Sequence, residues 1–595
     1  MGTWIFPINH WIDFSNSILP VLLGLLLYMM ICKIRPGKPT AVSAVFGLFF
    51  AICMVFGAQL DHYGQVPFTN MKMWLWILLF AFFITVIVSG LWNALDRKAE
   101  QKPKTPKEQI NCEGKYFFWI RTTGVIFLLY LIVLLAVYPG FFVYDAQEEY
   151  LEVVTRNFTT HHPLMHVLFM GGTIQLFYKL LGSVNTGIAV YTLLQMAIIA
   201  FVFGYFIWKL KQRGLGKTAQ WILTLYLGIC PPIVMFSLCS AKDGLFSAML
   251  LLQVLLLQDM CKAPEKFLTD KKRWILLGTV TVGMMLFRHN GCYAYVVFLP
   301  FLIGFISRKK ATAKNENSIS KIIIAISIAP VITYFIINRG LAFATNAQGG
   351  EHQEILTVPI MQLARTYAYE SDSFTDQQKE TVFQYLPEEA LRRYTPKVSD
   401  GVKVSFDNNA YEQNKSGFWK VWLEVGLQHP FSYVNAWMMT SYGFWYPDTV
   451  IDVYRGNTVF TYTYQDSSYF GYEVEEPGAR ESKLPILNEL YRKMSLEIFQ
   501  QKIPGLAMLF SPGFMFWCMM FGLGFVLNSK KLEQKMEIVL PFLLPVFIFM
   551  TYLLGPTFLV RYVVFWWTLV PLLAVQIYAI LTVDYKGNRN EKSNL

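Results

Sequence analysis

The chain has 595 residues, of which 54% are hydrophobic and only 15% are charged, whereas ordinary soluble domains carry about 25% charged residues. This composition excludes an ordinary soluble domain and indicates a polytopic membrane protein. The formal net charge is +11, but between residues 339 and 502 there are 15 Lys+Arg against 21 Asp+Glu. The basic excess therefore lies in short loops, where it orients helices in the membrane, and we expect no nucleic-acid partner.

Nearly uncharged stretches of about 20 residues are long enough to cross roughly 30 Å of hydrocarbon, and they must do so as helices. Lys and Arg concentrate at 33–38, 97–115, 209–217, 262–273, 308–321 and 530–535 and in the tail from 586. Taking these loops as cytoplasmic predicts an outer amino terminus, an inner carboxyl terminus and 13 spans. The spans lie near 15–34, 40–60, 71–95, 116–138, 186–210, 217–238, 243–261, 273–288, 291–307, 321–338, 504–528, 537–554 and 557–583.

One hydrophobic stretch, residues 163–181, is not counted among these spans. Only one crossing fits between the helix that ends near Tyr138 and the basic turn at 209–217. Residues 186–208 are uncharged, whereas 163–181 contain His166, Gln175 and Lys179. We therefore predict that 163–181 form an interfacial or re-entrant helix on the outer face.

The predicted fold class is an all-α polytopic membrane protein with about 13 transmembrane helices and a mixed extracytoplasmic domain. Hydrophobicity falls between residues 339 and 503, and a segment of this length can fold as a domain. The predicted parts are a three-span amino-terminal extension (1–110), a transmembrane core (116–338) with a first outer loop (139–185), the extracytoplasmic domain (339–503), the carboxyl-terminal helices (504–583) and a cytoplasmic tail (584–595).

The same predicted topology brings a set of polar residues to the outer boundary of the membrane. They are Asp145, Glu148, Glu149, His161, His162, Lys242, Asp243, Arg288, His289, Asn290, Arg561 and Tyr562. Ionisable groups near hydrocarbon tend to be paired or functional.

Each of these residues also has an ordinary structural interpretation. Lys242 and Asp243 could form an exposed turn at a helix start. Arg288 and Arg561 could extend to lipid headgroups. The two histidines could cap a helix, and the two glutamates could be solvated.

Taken together, the set suits a lipid phosphate. Cations that converge beside an apolar groove would hold a phosphate whose chain lies in lipid. A carboxylate opposite that phosphate can act as general base toward an incoming hydroxyl. No metal site is predicted, because the ligand set is incomplete, although Asp145 with its two neighbouring glutamates leaves a divalent cation open.

Several short motifs resemble the GT-C superfamily of integral-membrane glycosyltransferases. Tyr138-Pro139-Gly140 to Asp145 resembles the entry to the first outer loop of that superfamily, and His162-Pro163-Leu164 resembles the start of its interfacial helix. The sequences Lys242-Asp243-Gly244, Arg288-His289-Asn290-Gly291 and Arg561-Tyr562 are similar to those of bacterial GT-C-like proteins. The likeness covers roughly 116–583, and Asp145-Ala146 replaces the Asp-Glu pair of many relatives.

The resemblance implies an inverting glycosyltransferase of the bacterial plasma membrane, with its active site on the outer face. It would move a sugar from a polyprenyl-phosphate-linked donor, such as one on undecaprenyl phosphate, to a hydroxyl of a cell-envelope glycan or teichoic-acid-like acceptor. Asp145 would be the general base, and Glu148 and Glu149 would support acid–base or metal chemistry. The remaining roles are donor phosphate binding by Lys242, Arg288 and Arg561, and substrate orientation by His161, His162, His289 and Tyr562.

Two other functions stay open on the sequence. A transporter or flippase of lipid-linked glycans would place polar residues at the bilayer midplane and show two related halves. An envelope-glycan polymerase would use diphosphate-linked oligosaccharides. Release of polyprenyl phosphate distinguishes the enzyme from the transporter.

Overall fold

The computed structural model describes residues 27–28, 38–101, 115–264, 267, 270–310, 316–449, 462, 476–496, 500, 503, 506–529 and 535–582. Within these ranges the regular secondary structure is helical. They contain three isolated β-bridges and no sheet. The predicted span at 15–34 lies outside the described residues apart from 27–28, and the predicted tail at 584–595 lies wholly outside them.

The helices are numbered in chain order. They are α1 (Ala41–Tyr63), α2 (Met71–Gln101), α3 (Lys115–Ala136), α4 (Ala146–Thr155), α5 (Leu164–Leu181), α6 (Val184–Gln212), α7 (Lys217–Ile229), α8 (Pro231–Ser237), α9 (Lys242–Lys262), α10 (Lys271–Phe287), α11 (His289–Lys310), α12 (Glu316–Thr345), α13 (Thr357–Glu370), α14 (Asp376–Phe383), α15 (Glu388–Arg392), α16 (Asp400–Lys403), α17 (Asn408–Gln413), α18 (Lys415–Gln428), α19 (Pro430–Ser441), α20 (Pro485–Leu496), α21 (Leu506–Phe510), α22 (Pro512–Asn528), α23 (Lys535–Tyr552), α24 (Val560–Val563) and α25 (Phe565–Thr582).

Among the described residues, 10 helices are long and apolar enough to cross a membrane, or up to 11 if a bent pair counts as one span. The prediction of an all-α, multi-pass membrane protein is therefore confirmed. The bent pair is α7 and α8, which meet at 56° where Pro231 and Pro232 begin the second helix. Helices α10 and α22 have 17 residues each and are shorter than the ten. Helix α5 meets the length and composition criterion, although the sequence predicts an interfacial position for it.

Helices α9 and α25 run parallel and mark two ends of the bundle. Asp243, at the start of α9, lies 3.2 Å from Arg561, just before α25. At the far end, Gln258 Nε2 donates to Gln576 Oε1 at 2.9 Å. The basic turn after α6 lies at this far end too, because Arg213 pairs with Asp259 at 2.9 Å. The charged cluster at Asp243 and the basic turn are therefore separated by most of the length of α9, about 25 Å.

Helices α13 to α19 form a second unit with its own apolar core. Its described part is helical, so the mixed structure predicted for 339–503 is wrong there. The unit lies at the Asp243 end of the bundle. Ser399 N donates to Pro556 O at 3.2 Å, and Gln348 N donates to Phe158 O at 2.9 Å.

Gly244 permits the close approach that positions the first turn of α9. A Cβ at this position would lie 2.2 Å from the carbonyl oxygen of Phe236, on α8, and a backbone atom cannot move aside as a flexible side chain could. The absence of a side chain therefore allows Lys242 and Asp243 to lie against the end of α8.

We predict that Gly244→Ala lowers the free energy of unfolding by about 1–3 kcal/mol, because the added methyl group forces the two helices apart. Thermal unfolding of the detergent-solubilised protein measures this change. Gly172→Ala in α5 is the matched control, because nothing lies within 4 Å of its Cβ position. An equal or smaller loss for Gly244→Ala than for Gly172→Ala would contradict the close approach.

Candidate active site

The loop before α4 is tied to the segment before α9 by two backbone hydrogen bonds. Phe141 N donates to Leu238 O at 3.0 Å, and Ser240 N donates to Phe141 O at 2.9 Å. Tyr144 has a φ of 62°, a left-handed conformation that is uncommon for a bulky residue and is often found at functional sites. These constraints bring Asp145 opposite the start of α9.

Asp145 pairs with two cations that are distant in sequence. Its Oδ2 lies 2.8 Å from Lys242 Nζ and 2.8 Å from Arg561 Nη2, and its Oδ1 lies 3.3 Å from Arg561 Nη1. Asp145 occupies the N-cap position of α4, but its side chain makes no capping hydrogen bond. Its side chain is 27% exposed, so the carboxylate is both held by cations and accessible from outside.

Lys242 uses all three of its ammonium hydrogens. Nζ lies 2.8 Å from Asp145 Oδ2, 3.1 Å from Glu149 Oε1 and 3.2 Å from His162 Nδ1. An ammonium group donates three hydrogen bonds and accepts none. His162 Nδ1 must therefore accept, which makes His162 a neutral imidazole with its proton on Nε2. Lys242 has no donor left for another ligand unless it releases one of these three.

Asp243 holds the two arginines together on the other side of the cluster. Arg288 Nη2 pairs with Asp243 Oδ1, and Arg561 Nε lies 3.2 Å from Asp243 Oδ2. The Arg288 guanidinium also lies over the rings of Tyr552 and Tyr562, at 5.3 and 5.0 Å from their centroids. Three carboxylates and three cations thus form one connected cluster.

The two carboxylates of the loop are held in their ionised forms. Burial alone would raise the pKa of Asp145, but Arg561 and Lys242 outweigh it and hold that pKa well below its usual range. Burial acts on Glu149 in the same direction, and His166 and Lys242 outweigh it to lower the pKa of Glu149 to about 2. Nearby opposite charge thus dominates over desolvation at both positions.

Some of the predicted site residues lie away from the centre. The Glu148 side chain is 66% exposed and reaches only His162 Nε2, at 3.5 Å. His161 is exposed, with its ring against that of His162. His289 Nδ1 lies 2.7 Å from Tyr334 OH and contacts no carboxylate among the described residues. Tyr562 contributes its ring to the face of Arg288.

The ordinary structural interpretations fail for most of the cluster. Lys242, Asp243, Arg288 and Arg561 are all buried, so an exposed turn and extension to headgroups are both wrong. Solvation describes Glu148 but not Glu149, which is 1% exposed.

The sequence interpretation left four central residues unassigned. Asp243 was noted only as a partner in a turn, and His166 only as a polar residue in an apolar helix. His166 Nδ1 lies 2.5 Å from Glu149 Oε2 and its Nε2 lies 2.9 Å from Tyr191 OH. Tyr191 OH in turn donates to Gln195 Oε1 at 2.6 Å. His166, on an otherwise apolar helix face, was the one signal in the sequence that pointed to this series of hydrogen-bonded side chains.

The divalent cation that the sequence left open has a competitor in the structure. Oxygen and nitrogen atoms of Asp145, Glu149 and His162 lie within 4.8 Å of one another, as metal ligands would. The Lys242 ammonium lies within hydrogen-bond distance of all three. A metal ion there would have to displace this fixed positive charge, so the geometry favours a lysine-centred cluster.

We predict that Asp243→Asn destabilises the protein by about 3–5 kcal/mol, because two buried guanidinium groups lose their shared carboxylate. Thermal unfolding in detergent measures the loss. Asp270→Asn is the control, because Asp270 pairs with Arg273 at the surface, with both side chains more than 40% exposed, and we expect a change within about 0.5 kcal/mol. Similar losses in both variants would show that Asp243 does not stabilise the cluster.

Comparisons with known proteins place the chain within a family. No curated protein and no solved structure matches the chain. Residues 150–557 match the model of a family described as "Family of unknown function (DUF6020)". The match begins just after Asp145, ends just before Arg561 and includes Lys242, Asp243 and Arg288. Since it covers more than half of the sequence, the chain belongs to this family of unknown function, DUF6020.

Proposed function

We propose that the protein is a glycosyltransferase of the GT-C type in a bacterial plasma membrane. It transfers a sugar from a polyprenyl-phosphate-linked donor to a hydroxyl of an envelope glycan or teichoic-acid-like acceptor. The observation that carries the proposal is the partly exposed Asp145 carboxylate, which pairs with the buried cations Lys242 and Arg561 at one end of an apolar helix bundle.

Asp145 has the contacts of a general base. Among the described residues its Oδ1 has one hydrogen-bond donor, Arg561 Nη1 at 3.3 Å, and the side chain is 27% exposed, so this oxygen can accept a further hydrogen bond from an incoming hydroxyl. As the acceptor oxygen attacks the anomeric carbon, the bond from that carbon to the donor phosphate breaks and the hydroxyl proton passes to Asp145. Attack opposite the leaving phosphate inverts the anomeric carbon.

The three cations differ in their capacity to hold a phosphate. Lys242 is saturated by its three partners, and Arg561 is engaged by Asp145 and Asp243. Among the described residues Arg288 pairs with one carboxylate, that of Asp243, and its buried Nε has no hydrogen-bond partner. We therefore assign first contact with the donor phosphate to Arg288, whose planar fork suits phosphate oxygens.

Phosphate binding also changes the strength of the base. The phosphodiester of the bound donor carries one negative charge, and a second develops on the phosphate as the sugar leaves. Both compete with Asp145 for the charge of Arg561 and Lys242. The Asp145 carboxylate then loses part of the stabilisation that makes it a weak base in the free protein. Donor binding would thus raise the basicity of Asp145 when the acceptor hydroxyl arrives.

The arrangement of helices supports an active site on the outer face. The basic turn after α6 and the Asp145 cluster lie at opposite ends of α9, as the charge rule requires for a cytoplasmic turn and an outer site. The helical unit α13 to α19 lies at the same end as the cluster, so it is extracytoplasmic. This orientation agrees with the sequence prediction of 13 spans, in which the Lys/Arg-rich loops are cytoplasmic.

We predict that Asp145→Asn lowers the rate of sugar transfer by about 10²–10⁴, because the acceptor loses its general base. Protein reconstituted in vesicles is supplied with undecaprenyl-phosphate-linked sugar, and release of undecaprenyl phosphate is measured by mass spectrometry. Glu148→Gln, at an exposed position on the same loop, should leave the rate within a few-fold. Transfer at the wild-type rate by Asp145→Asn would remove Asp145 as base, and donor movement without release would indicate a transporter.

The pH dependence has a defined sign. The base form of Asp145 is present above its pKa and is lost as pH falls through that value. Arg561 and Lys242 hold the pKa of Asp145 well below its usual range. The acid limb of kcat/KM for the free enzyme should therefore lie below about pH 4.

Labelling with a membrane-impermeant maleimide tests the orientation. Asn157 follows α4 and lies five residues before His162, and Thr218 lies at the start of α7, directly after the basic turn. Both residues are exposed. We predict that Asn157→Cys reacts in intact cells and that Thr218→Cys reacts only after permeabilisation. The reverse pattern would place Asp145 in the cytosol and exclude an outer-face reaction.

A further inference from the structure

A buried chain of side chains runs from the cluster into the bundle behind Glu149. Glu149 Oε2 contacts His166 Nδ1 at 2.5 Å, His166 Nε2 contacts Tyr191 OH at 2.9 Å, and Tyr191 OH contacts Gln195 Oε1 at 2.6 Å. All four side chains are at most 1% exposed. None of them reaches the accessible face of Asp145, so the proposed reaction does not use them directly.

Two backbone carbonyl groups set the direction of the hydrogen bonds that Gln195, Tyr191 and His166 Nε2 make. Gln195 Nε2 donates to Ser237 O at 3.0 Å and to Cys239 O at 2.6 Å. A carbonyl oxygen only accepts, so the amide nitrogen of Gln195 must face these two groups and its Oε1 must face Tyr191. The Tyr191 hydroxyl therefore donates to Gln195, and its oxygen accepts from His166 Nε2–H.

With Nε2 protonated, the Glu149–His166 pair holds one further proton at most between its two facing atoms. That proton lies either on His166 Nδ1, which gives an imidazolium and a carboxylate, or on Glu149, which gives two neutral groups. Glu149 also accepts from Lys242 at 3.1 Å, and a carboxylate accepts from an ammonium far better than a neutral acid does. The ionised pair is therefore the stable form.

We propose that His166, Tyr191 and Gln195 are positioning residues that keep Glu149 ionised, so that Glu149 and Asp145 share the Lys242 ammonium. This inference rests on the proposed function in that Asp145 is the base. Because Glu149 shares the ammonium, Asp145 is stabilised by only part of the positive charge of Lys242. Without the imidazolium, Glu149 would be a buried anion that relies on Lys242 alone, and it would draw Lys242 away from Asp145.

The charged and titratable groups around the network determine which side chains a substitution at His166 or Glu149 can affect. Glu149 faces Lys242, His162 and His166, and His166 faces Glu149 and Tyr191, with the Phe287 ring beside it. Asp145 faces Lys242, Arg561 and His162. Among the described contacts, Glu149 is thus the step from His166 into the cluster, and Lys242 and His162 both connect Glu149 to Asp145.

The first experiment needs no transfer reaction. Full-length protein with ¹⁵N-labelled histidine is placed in lipid nanodiscs, and its imidazole signals are followed by solid-state NMR, with His166→Gln identifying the signal of residue 166. We expect His166 at about pH 7 to give the signal of an imidazolium in the wild type and that of a neutral imidazole in Glu149→Gln, because the ionised pair needs the carboxylate. The signal of His429, which pairs with Glu370 at the surface, is the control and should not change.

A neutral His166 in the wild type, or the same protonation state in the wild type and in Glu149→Gln, would overturn the proposal. If His166→Gln does not fold, Tyr191→Phe takes its place, since it removes only the hydroxyl that accepts from Nε2–H. We expect a smaller imidazolium fraction of His166 in Tyr191→Phe than in the wild type at the same pH. An unchanged fraction in that variant would also count against the network.

The second experiment uses the pH–rate profile of sugar transfer. His166→Gln should move the acid limb upward by about one pH unit or more, because Asp145 loses part of Lys242. The double variant His166→Gln with Glu149→Gln should return the limb to the wild-type position or below it, because the competing anion is gone. A merely structural defect would not be reversed in this way. Absence of any transfer by the wild type would refute the proposed function, while the NMR result would decide the network separately.

Discussion

Charged side chains buried in an apolar helix bundle must neutralise one another, and this requirement organises the end of the molecule that contains Asp145. Removing a charge from water costs several kcal/mol unless a partner of opposite sign and further hydrogen bonds compensate. Here Asp145, Glu149 and Asp243 are interleaved with Lys242, Arg288 and Arg561. The loop before α4 and the starts of α9, α11 and α24 meet because each supplies part of this balance.

In the proposed glycosyltransferase, such a balance has a chemical consequence for the binding of a phosphate. A neutralised cluster is stable without substrate, but every pairing in it is also a competitor for an incoming anion. Arg288 keeps an unpartnered Nε among the described residues, while Lys242 and Arg561 must give up contacts to a carboxylate. Binding of the donor and activation of Asp145 are then two aspects of one exchange of partners. Glu149 and the side chains behind it limit how far Lys242 can move during that exchange.

Sequence patterns were informative where they reported on the membrane. Uncharged stretches predicted most of the helices, and α1, α3, α6 and α9 begin and end within a few residues of the predicted spans. The short α10 also lies within a few residues of the predicted span at 273–288. The bend at Pro231 was harder to predict, because packing against neighbouring helices compensates for a break that hydrophobicity alone does not show. The mixed structure predicted for residues 339–503 was wrong for the described part, where short helices form a separate core. Tyr and Trp in that segment favour strands in general, but here they fill spaces between helices.

By itself the sequence determined that this is a helical, multi-pass membrane protein and which polar residues lie near helix ends, because hydrocarbon tolerates only long apolar helices with charges at their borders. Only the tertiary structure decided which of those charges touch. Asp145 and Arg561 are separated by 416 positions, and no local pattern encodes their contact. Nor could the sequence separate Glu149, buried against His166, from Glu148, one residue earlier and mostly exposed. The physical reason is that the helical repeat of α4 turns adjacent residues to different faces, and only the packing of α4 against α5 and α9 decides which face is buried.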